Sequence, residues 1–211
     1  MENIPTVHIE FISDYICPWC YIGKARMERV RESLDGKINL EIEVKPYLLY
    51  PNIPRGGVPK EVFAKKAKPG MGRSLRAESE REGIAIRYKN IERIPYSLEA
   101  HRLTWLTEPD LKYELAKRIF HGYFEKGQDI EDHDFLIEQA KAVGVPKKTI
   151  GLFFSTEAGE KEVNDFIQNA KEEFVTVVPS LRLNRKILIP GLQTAELWEN
   201  YITRASRIQK K

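Results

Sequence analysis

The sequence predicts an α/β protein in which a β-α-β unit and a β-β-α unit form one domain and a long helical block is inserted between them. Three observations predict it. Residues 5–49 alternate apolar and polar at period two, change to a helical pattern, and change back. Residues 50–172 carry apolar positions at three- and four-residue spacing, cut by Pro- and Gly-containing breaks. Residues 173–211 return to short apolar runs and close with one more helical pattern. With 211 residues there is enough chain for a substantial core. The division read from these patterns is 1–49 with 173–211 as one discontinuous domain, and 50–172 as an all-helical insertion.

Each element has its own reason. Val7-His8-Ile9-Glu10-Phe11-Ile12 alternates and reads as a strand, and Tyr21 to Arg31 reads as a helix. Ile38-Asn39-Leu40-Glu41-Ile42-Glu43-Val44 alternates again. A helix crossing between two strands predicts that they run parallel. Pro51, Pro54, Gly56, Gly57 and Pro59 mark a loop. Helical patterns follow at Leu98, His101/Arg102, Trp105 and Leu106, at Leu111, Leu115, Ile119 and Phe120, and at Phe135/Leu136, Gln139/Ala140 and Val143, giving an insertion of about four to six helices. The aromatics Phe120, Tyr123, Phe124, Phe153, Phe154 and Phe166 read as core or groove lining. Val175-Thr176-Val177-Val178 leads through Pro179 to the strand Ser180–Leu183. Asn184-Arg185 makes a tight turn into Lys186–Ile189, and Pro190-Gly191 stops that strand. Thr194 suits the N-cap of a last helix, Ala195 to about Ile208, whose final turn carries Arg204, Arg207 and Lys210 against the negative end of the helix dipole. The assembled order is a thioredoxin-type fold with a large helical insertion.

The chemistry sits at the first strand-to-helix junction. The chain has two cysteines, spelled Cys17-Pro18-Trp19-Cys20. A C-x-x-C so placed is the signature of a thioredoxin-like redox site. The unpaired N–H groups and dipole of a helix N-terminus favour an anion, so Cys17 is the expected nucleophile and the more exposed thiol. Cys20, one turn in, is placed to resolve a mixed disulfide. Pro18 suits the first helical turn, where a missing N–H costs nothing, and Trp19 offers a flat apolar surface beside the sulfur. C-x-x-C is also half of a zinc site, but none of His8, His101, His121 and His133 stands at ligand spacing beside it, so no metal is expected. His101 reads first as a packed histidine, and Lys24 as a solvated one-turn neighbour that is able to act on a thiolate by its charge.

Composition narrows the function classes. Hydrophobic residues make 42% and charged residues 31% of the chain, which describes a soluble globular protein. A net charge of +3 is too mild to argue for nucleic acid. From Arg55 to Arg93 there are eleven Lys or Arg against five Glu. A solvated helical face explains that run, and a basic rim steering anionic substrates is the functional alternative. No stretch reaches transmembrane length, and the Met1–Pro5 segment has neither the basic nor the apolar region of a leader. A cytoplasmic location is therefore expected, where a C-x-x-C is catalytic or metal-binding rather than a structural staple.

The segment Phe11-Ile12-Ser13-Asp14-x-x-Cys17-Pro18-Trp19-Cys20-Tyr21-Ile22-Gly23-Lys24 resembles the opening of the DsbA-like thioredoxin proteins of the FrnE type, a group related to 2-hydroxychromene-2-carboxylate isomerases and kappa-class glutathione transferases. Pro51-Asn52-Ile53-Pro54-x-Gly56-Gly57, Ala100-His101-Arg102-Leu103, and Val178-Pro179 followed by a hairpin and Gly191-Leu192-Gln193 extend the resemblance over the whole chain. Tyr96-Ser97 replaces the Asn-Thr or Asn-Ser of relatives, and the second cysteine pair of some FrnE-type proteins is absent. The resemblance implies that Pro179 is a cis-proline facing the C-x-x-C, with the Val178 backbone free to pair with an extended substrate; a trans proline at a strand start is the plainer reading of the residue. It brings His101 among the site-shaping residues with Pro18, Trp19, Val178 and Pro179. The implied activity is thiol–disulfide exchange on a protein or small-molecule thiol or disulfide, with no tightly bound cofactor and glutathione as a candidate redox partner. Two alternatives stand beside it. A glutathione-dependent isomerase or transferase is the first, against which two cysteines argue, since those enzymes carry serine at the nucleophile. A redox-switched binding or chaperone module is the second. The resemblance also allows a homodimer through the insertion, although no heptad or apolar seam marks one. Neither a nucleic-acid nor a membrane partner is expected.

Overall fold

The computed structural model describes residues 4–64 and 71–208. Met1, Glu2, Asn3 and Lys210 lie outside them, as does the 65–70 part of the basic run. Strand β1 (Thr6–Ser13) leads into helix α1 (Pro18–Leu34), and α1 crosses to β2 (Asn39–Pro46). β1 and β2 are parallel, Thr6 opposite Asn39 and Ser13 opposite Pro46. At the far end of the chain β5 (Ser180–Leu183) and β6 (Ile187–Pro190) form a hairpin. β5 joins β1 antiparallel, Ile9 opposite Leu183, so the four-stranded sheet runs β2-β1-β5-β6. Helix α9 (Ala195–Ile208) closes the chain, and Leu197 N–H donates to Thr194 Oγ1 at its start.

Period-two alternation decides which face of β1 is dry. Val7, Ile9 and Phe11 are at most 1% exposed, and they share a core with Met27 and Val30 of α1 and Trp198 and Ile202 of α9. The hairpin turn puts Asn184 and Arg185 at φ of 50° and 57°, the primed geometry that matches strand twist.

Between the two sheet-forming segments run β3 (Val58–Pro59), α2 (Glu61–Ala64), α3 (Met71–Arg81), β4 (Arg93–Ile94), α4 (Leu98–Leu106), α5 (Pro109–His121), α6 (His133–Ala142), α7 (Lys147–Ser155) and α8 (Glu160–Glu172). More helices are present than the periodicity predicts, and the segment is not all helical. β3 and β4 pair antiparallel, Val58 opposite Ile94. Gly57 permits this pairing: its φ is 70°, and a Cβ there would lie 2.7 Å from Ile94 O. Helix α4 also departs from a one-sided pattern, for Leu98 through Thr104 are all buried. Its charged residues are paired in place. Glu99 takes Arg102 at 2.7 Å, His133 at 2.9 Å and Arg55 at 3.2 Å. No described helix is long and apolar enough to cross a membrane.

Candidate active site

Cys17 is the N-cap of α1, with extended backbone (φ −89°, ψ 112°), and Pro18 is the first helical residue. The Cys17 N–H donates to Asp14 O at 3.0 Å, which fixes the turn from β1 into α1. Cys20 N–H and Tyr21 N–H both donate to Cys17 O. Cys20 therefore sits one turn along the helix. Both sulfurs are free thiols and both are buried, Cys17 at 3% and Cys20 at 0% exposure. The expected difference in exposure is thus small. At Cys20, burial and then the neighbouring Cys17 sulfur push the thiol well above its ordinary value, while a hydrogen bond from the Asp14 main chain pulls part of the way back.

Cys17 Sγ lies 3.8 Å from Val178 O, and the Val178–Pro179 peptide bond is cis. The Pro179 ring packs on α1 at Gly23, where a Cβ would come within 3.0 Å of Pro179 Cγ. Gly23 is what lets the helix and the proline loop approach. Trp19 is half-buried against the main core.

Beneath the pair lies Asp14, fully buried. Its Oδ1 accepts from Ser97 Oγ at 2.6 Å and from Ile16 N–H at 3.3 Å, and its Oδ2 accepts from Leu49 N–H at 2.6 Å. His101 is 2% exposed, with Nε2 3.6 Å from Asp14 Oδ1 and its ring 4.8 Å from that of Tyr15. Two tyrosines feel the charge of Cys17 from the outer side. Burial first, then Cys17, raise the phenols of Tyr50 and Tyr88, so both stay protonated beside the sulfur. Lys24 is enclosed rather than solvated, 1% exposed and 2.6 Å from Glu28. α5 covers it, with the Tyr113 ring 3.6 Å from Nζ.

The profile of the DSBA-like thioredoxin domain matches residues 8–203. The chain belongs to the DsbA-like thioredoxin family. It is 28% identical over 200 residues to the protein called Uncharacterized protein YwbO of Bacillus subtilis (strain 168), covering 94% of this chain and 96% of that one. Among solved structures it is similar to the probable DsbA oxidoreductase SCO1869 from Streptomyces coelicolor, with a TM-score of 0.80, 25% identity, and 94% and 89% of the two chains covered. A 2-hydroxychromene-2-carboxylate isomerase superposes with a TM-score of 0.73 at 15% identity, over 96% and 98% of the chains. The cytosolic disulfide reductase DsbM from Pseudomonas aeruginosa with GSH gives 0.63 at 15% identity, over 95% and 99%. The last two likenesses speak for the fold.

In this DsbA-like chain the structure brings Cys17, Pro18, Cys20, Val178 and Pro179 to one place, with His101 one layer below. The aromatics divide. Phe120, Phe124 and Phe153 are fully buried and Tyr123 nearly so, Phe166 is partly buried, and Phe154 is 61% exposed, so it is not core. Reasoning from sequence assigned no role to Asp14, Ser97, Tyr50 or Tyr88. A Ser-Asp pair closing an apolar strand just before the cysteines was the available signal for Asp14; the others stand far off in the chain.

Proposed function

We propose that this protein is a thiol–disulfide oxidoreductase in which Cys17 is the nucleophile and Cys20 the resolving thiol. The observation that carries the reading is the placement of the pair at the start of α1, Cys17 at the N-cap against the Val178–Pro179 loop and Cys20 one turn inside. Cys20 is fully enclosed and held as a thiol, while Cys17 caps the helix and faces the Val178 carbonyl. Membership of the DsbA-like family and the likeness to the Streptomyces coelicolor protein support the same chemistry.

Cys17 attacks a substrate disulfide, a mixed disulfide forms, and Cys20 displaces the second substrate sulfur to leave Cys17–Cys20 oxidised. Run in reverse, the oxidised pair accepts electrons from substrate thiols. The Val178 backbone supplies an acceptor along which an extended thiol substrate lies, with Trp19, Tyr50 and Tyr88 as its apolar walls. No tightly bound cofactor is part of this scheme, and glutathione is its natural small-thiol partner. In a reducing cytoplasm the pair would rest reduced and the protein would work as a reductase.

The test is trapping with oxidised glutathione. Cys20→Ser should hold glutathione as a stable covalent adduct by mass, wild type should pass to the internal disulfide, and Cys17→Ser should do neither. An adduct in Cys17→Ser but not in Cys20→Ser would reverse the assigned roles. Glutathione conjugation surviving in Cys17→Ser would favour a transferase.

A further inference from the structure

Helix α5 does not stop cleanly at His121. It runs on into a π-helical turn, Gly122–Lys126, a widened geometry that recurs at functional sites. The turn grips the start of α1. Phe124 stacks on Tyr21 with ring centroids 5.6 Å apart, and Glu125 accepts from the Tyr21 hydroxyl at 2.6 Å. Tyr21 follows Cys20 directly, and its N–H donates to Cys17 O. The same turn also anchors the chain at 87–90. Arg87 N–H donates to Phe124 O at 2.8 Å, and Asn90 Nδ2 donates to Glu125 O at 3.1 Å. Gly127 lets the two segments meet, since a Cβ there would overlap Asn90 O. Held in this way, the Tyr88 ring stands edge-on to Phe124, 6.5 Å between centroids.

Other tyrosines around the pair have committed their hydroxyls. Tyr15 shares a hydrogen bond with Thr104 at 2.6 Å, Tyr21 donates to Glu125, and Tyr113 donates to Lys24 O. Tyr88 differs. It is 43% exposed, and among the described residues its hydroxyl has no hydrogen-bond partner. It lies near enough to Cys17 to feel the charge of that sulfur, and burial with that charge keeps the phenol protonated. Cys17 Sγ itself is turned to Val178 O. The Tyr88 hydroxyl is thus a donor beside the nucleophile with nothing in the protein to donate to.

We propose that Tyr88 is a catalytic residue of the exchange reaction, its hydroxyl donating a hydrogen bond to the sulfur that leaves when Cys17 attacks a substrate disulfide. The inference rests on the exchange chemistry proposed above and gives the helical block a part in it. Cys17, as thiolate, attacks the nearer sulfur of RS–SR′. The bond from Cys17 to SR forms, the RS–SR′ bond breaks, and R′S leaves as a thiolate with the electron pair. The charge that moves from Cys17 to R′S meets a fixed O–H donor, and the hydrogen bond it forms is charge-assisted. Tyr88 keeps its proton throughout, and R′S takes one from water after release. Cys20 then displaces RS from Cys17, and the substrate disulfide is the only oxidant consumed. The gain depends on the leaving group. A basic aliphatic thiolate leaves slowly and needs the donor, whereas an acidic aromatic thiolate leaves readily without it. Tyr88 therefore extends the reach of Cys17 to aliphatic disulfides.

The test uses reduced, full-length protein carrying Cys20→Ser, in which the reaction stops at the mixed disulfide and its rate reports attack by Cys17 alone. Three disulfides serve as probes: dithio-bis-nitrobenzoate with an acidic aromatic leaving thiol, and oxidised glutathione and cystamine with aliphatic leaving thiols of opposite charge. Adduct formation is followed by quenched mass spectrometry with and without Tyr88→Phe, which removes one exposed oxygen and keeps the ring on Phe124. Tyr88→Phe should stay within about twofold on dithio-bis-nitrobenzoate and slow at least about tenfold on both aliphatic disulfides, the size of a lost acid–base partner. One factor of slowing on all three probes, or no slowing on any, would overturn the proposal. Slowing on oxidised glutathione but not on cystamine would also overturn it, because Tyr88 would then recognise the substrate's body rather than its leaving sulfur. No adduct on any probe with Tyr88 in place would refute the exchange chemistry itself, and this inference with it.

Discussion

At Lys24 an ammonium group is enclosed one turn beyond Cys20. Burial lowers its pKa to about 8, against the opposing pull of Glu28. The unfolded chain keeps a lysine protonated to about 10.4, so between these values the unfolded state binds more protons and stability rises with pH. Lys24→Met removes that titration. From pH 8 to 10.5 the stability difference should move in favour of wild type by up to about 3 kcal/mol, read from urea melts of both proteins. A difference that stays flat would show that Lys24 is not held below its ordinary value. Position along the chain explains what was legible here. Cys17, Pro18 and Cys20 announce themselves because their chemistry lies within four consecutive residues. Lys24 looked solvated because the Tyr113 ring that covers it is supplied by α5. The Asp14 site is assembled from β1, the 47–49 loop and α4, and no local pattern encodes such a meeting.

At the scale of elements, two backbone positions carry opposite constraints, one in the β5–β6 turn at the far end of the sheet and one beside the cysteine pair. Arg185 holds a left-handed conformation in the β5–β6 turn at φ 57°. Arg185→Gly should stabilise the protein by roughly 0.5–1 kcal/mol in thermal melts, since only a non-glycine residue pays strain there. Gly23 is the opposite case. Alanine would favour an isolated helix, but its Cβ would meet Pro179 at 3.0 Å, Leu192 at 3.3 Å and Trp198 at 3.4 Å. Gly23→Ala should therefore cost roughly 1–3 kcal/mol and alter the rate of Cys17 alkylation, because the Pro179 loop must shift. A stabilised variant with an unchanged alkylation rate would contradict that placement. Elements with one wet face were readable: β1 and β2 by alternation, α9 from its Thr194 cap through its end at Ile208. α4 was harder. A helix buried all round shows no clean stripe, and its Glu99 and Arg102 look like surface residues until their partners are known.

Over the whole molecule, Arg26 joins the sheet-forming part to the helical block. It is 4% exposed and binds Glu78 of α3, Glu82 just beyond α3, and Gln193 O in the loop after β6. The Glu82 side chain is fully buried, with Arg29 3.3 Å away as its second cation. Arg26→Met should cost about 3–5 kcal/mol by leaving that carboxylate short of charge, and Arg26→Met with Glu82→Met should recover most of it. Urea unfolding of the single and double variants gives the coupling, and additive losses would argue against a shared network. Topology at this scale followed from sequence, because the order strand, helix, strand, helical block, hairpin, helix admits few arrangements of one sheet. The β3–β4 pair escaped notice because two-residue strands carry no periodicity. The central claim, that Cys17 and Cys20 form a working redox pair, is tested most directly by their equilibrium in a series of glutathione buffers, read by thiol trapping with Cys17→Ser as control. The account predicts a reversible two-electron transition within the range spanned by thioredoxin-type sites, about −120 to −270 mV, and none in Cys17→Ser. Thiols that stay reduced in every buffer, with the wild type behaving as Cys17→Ser does, would contradict it.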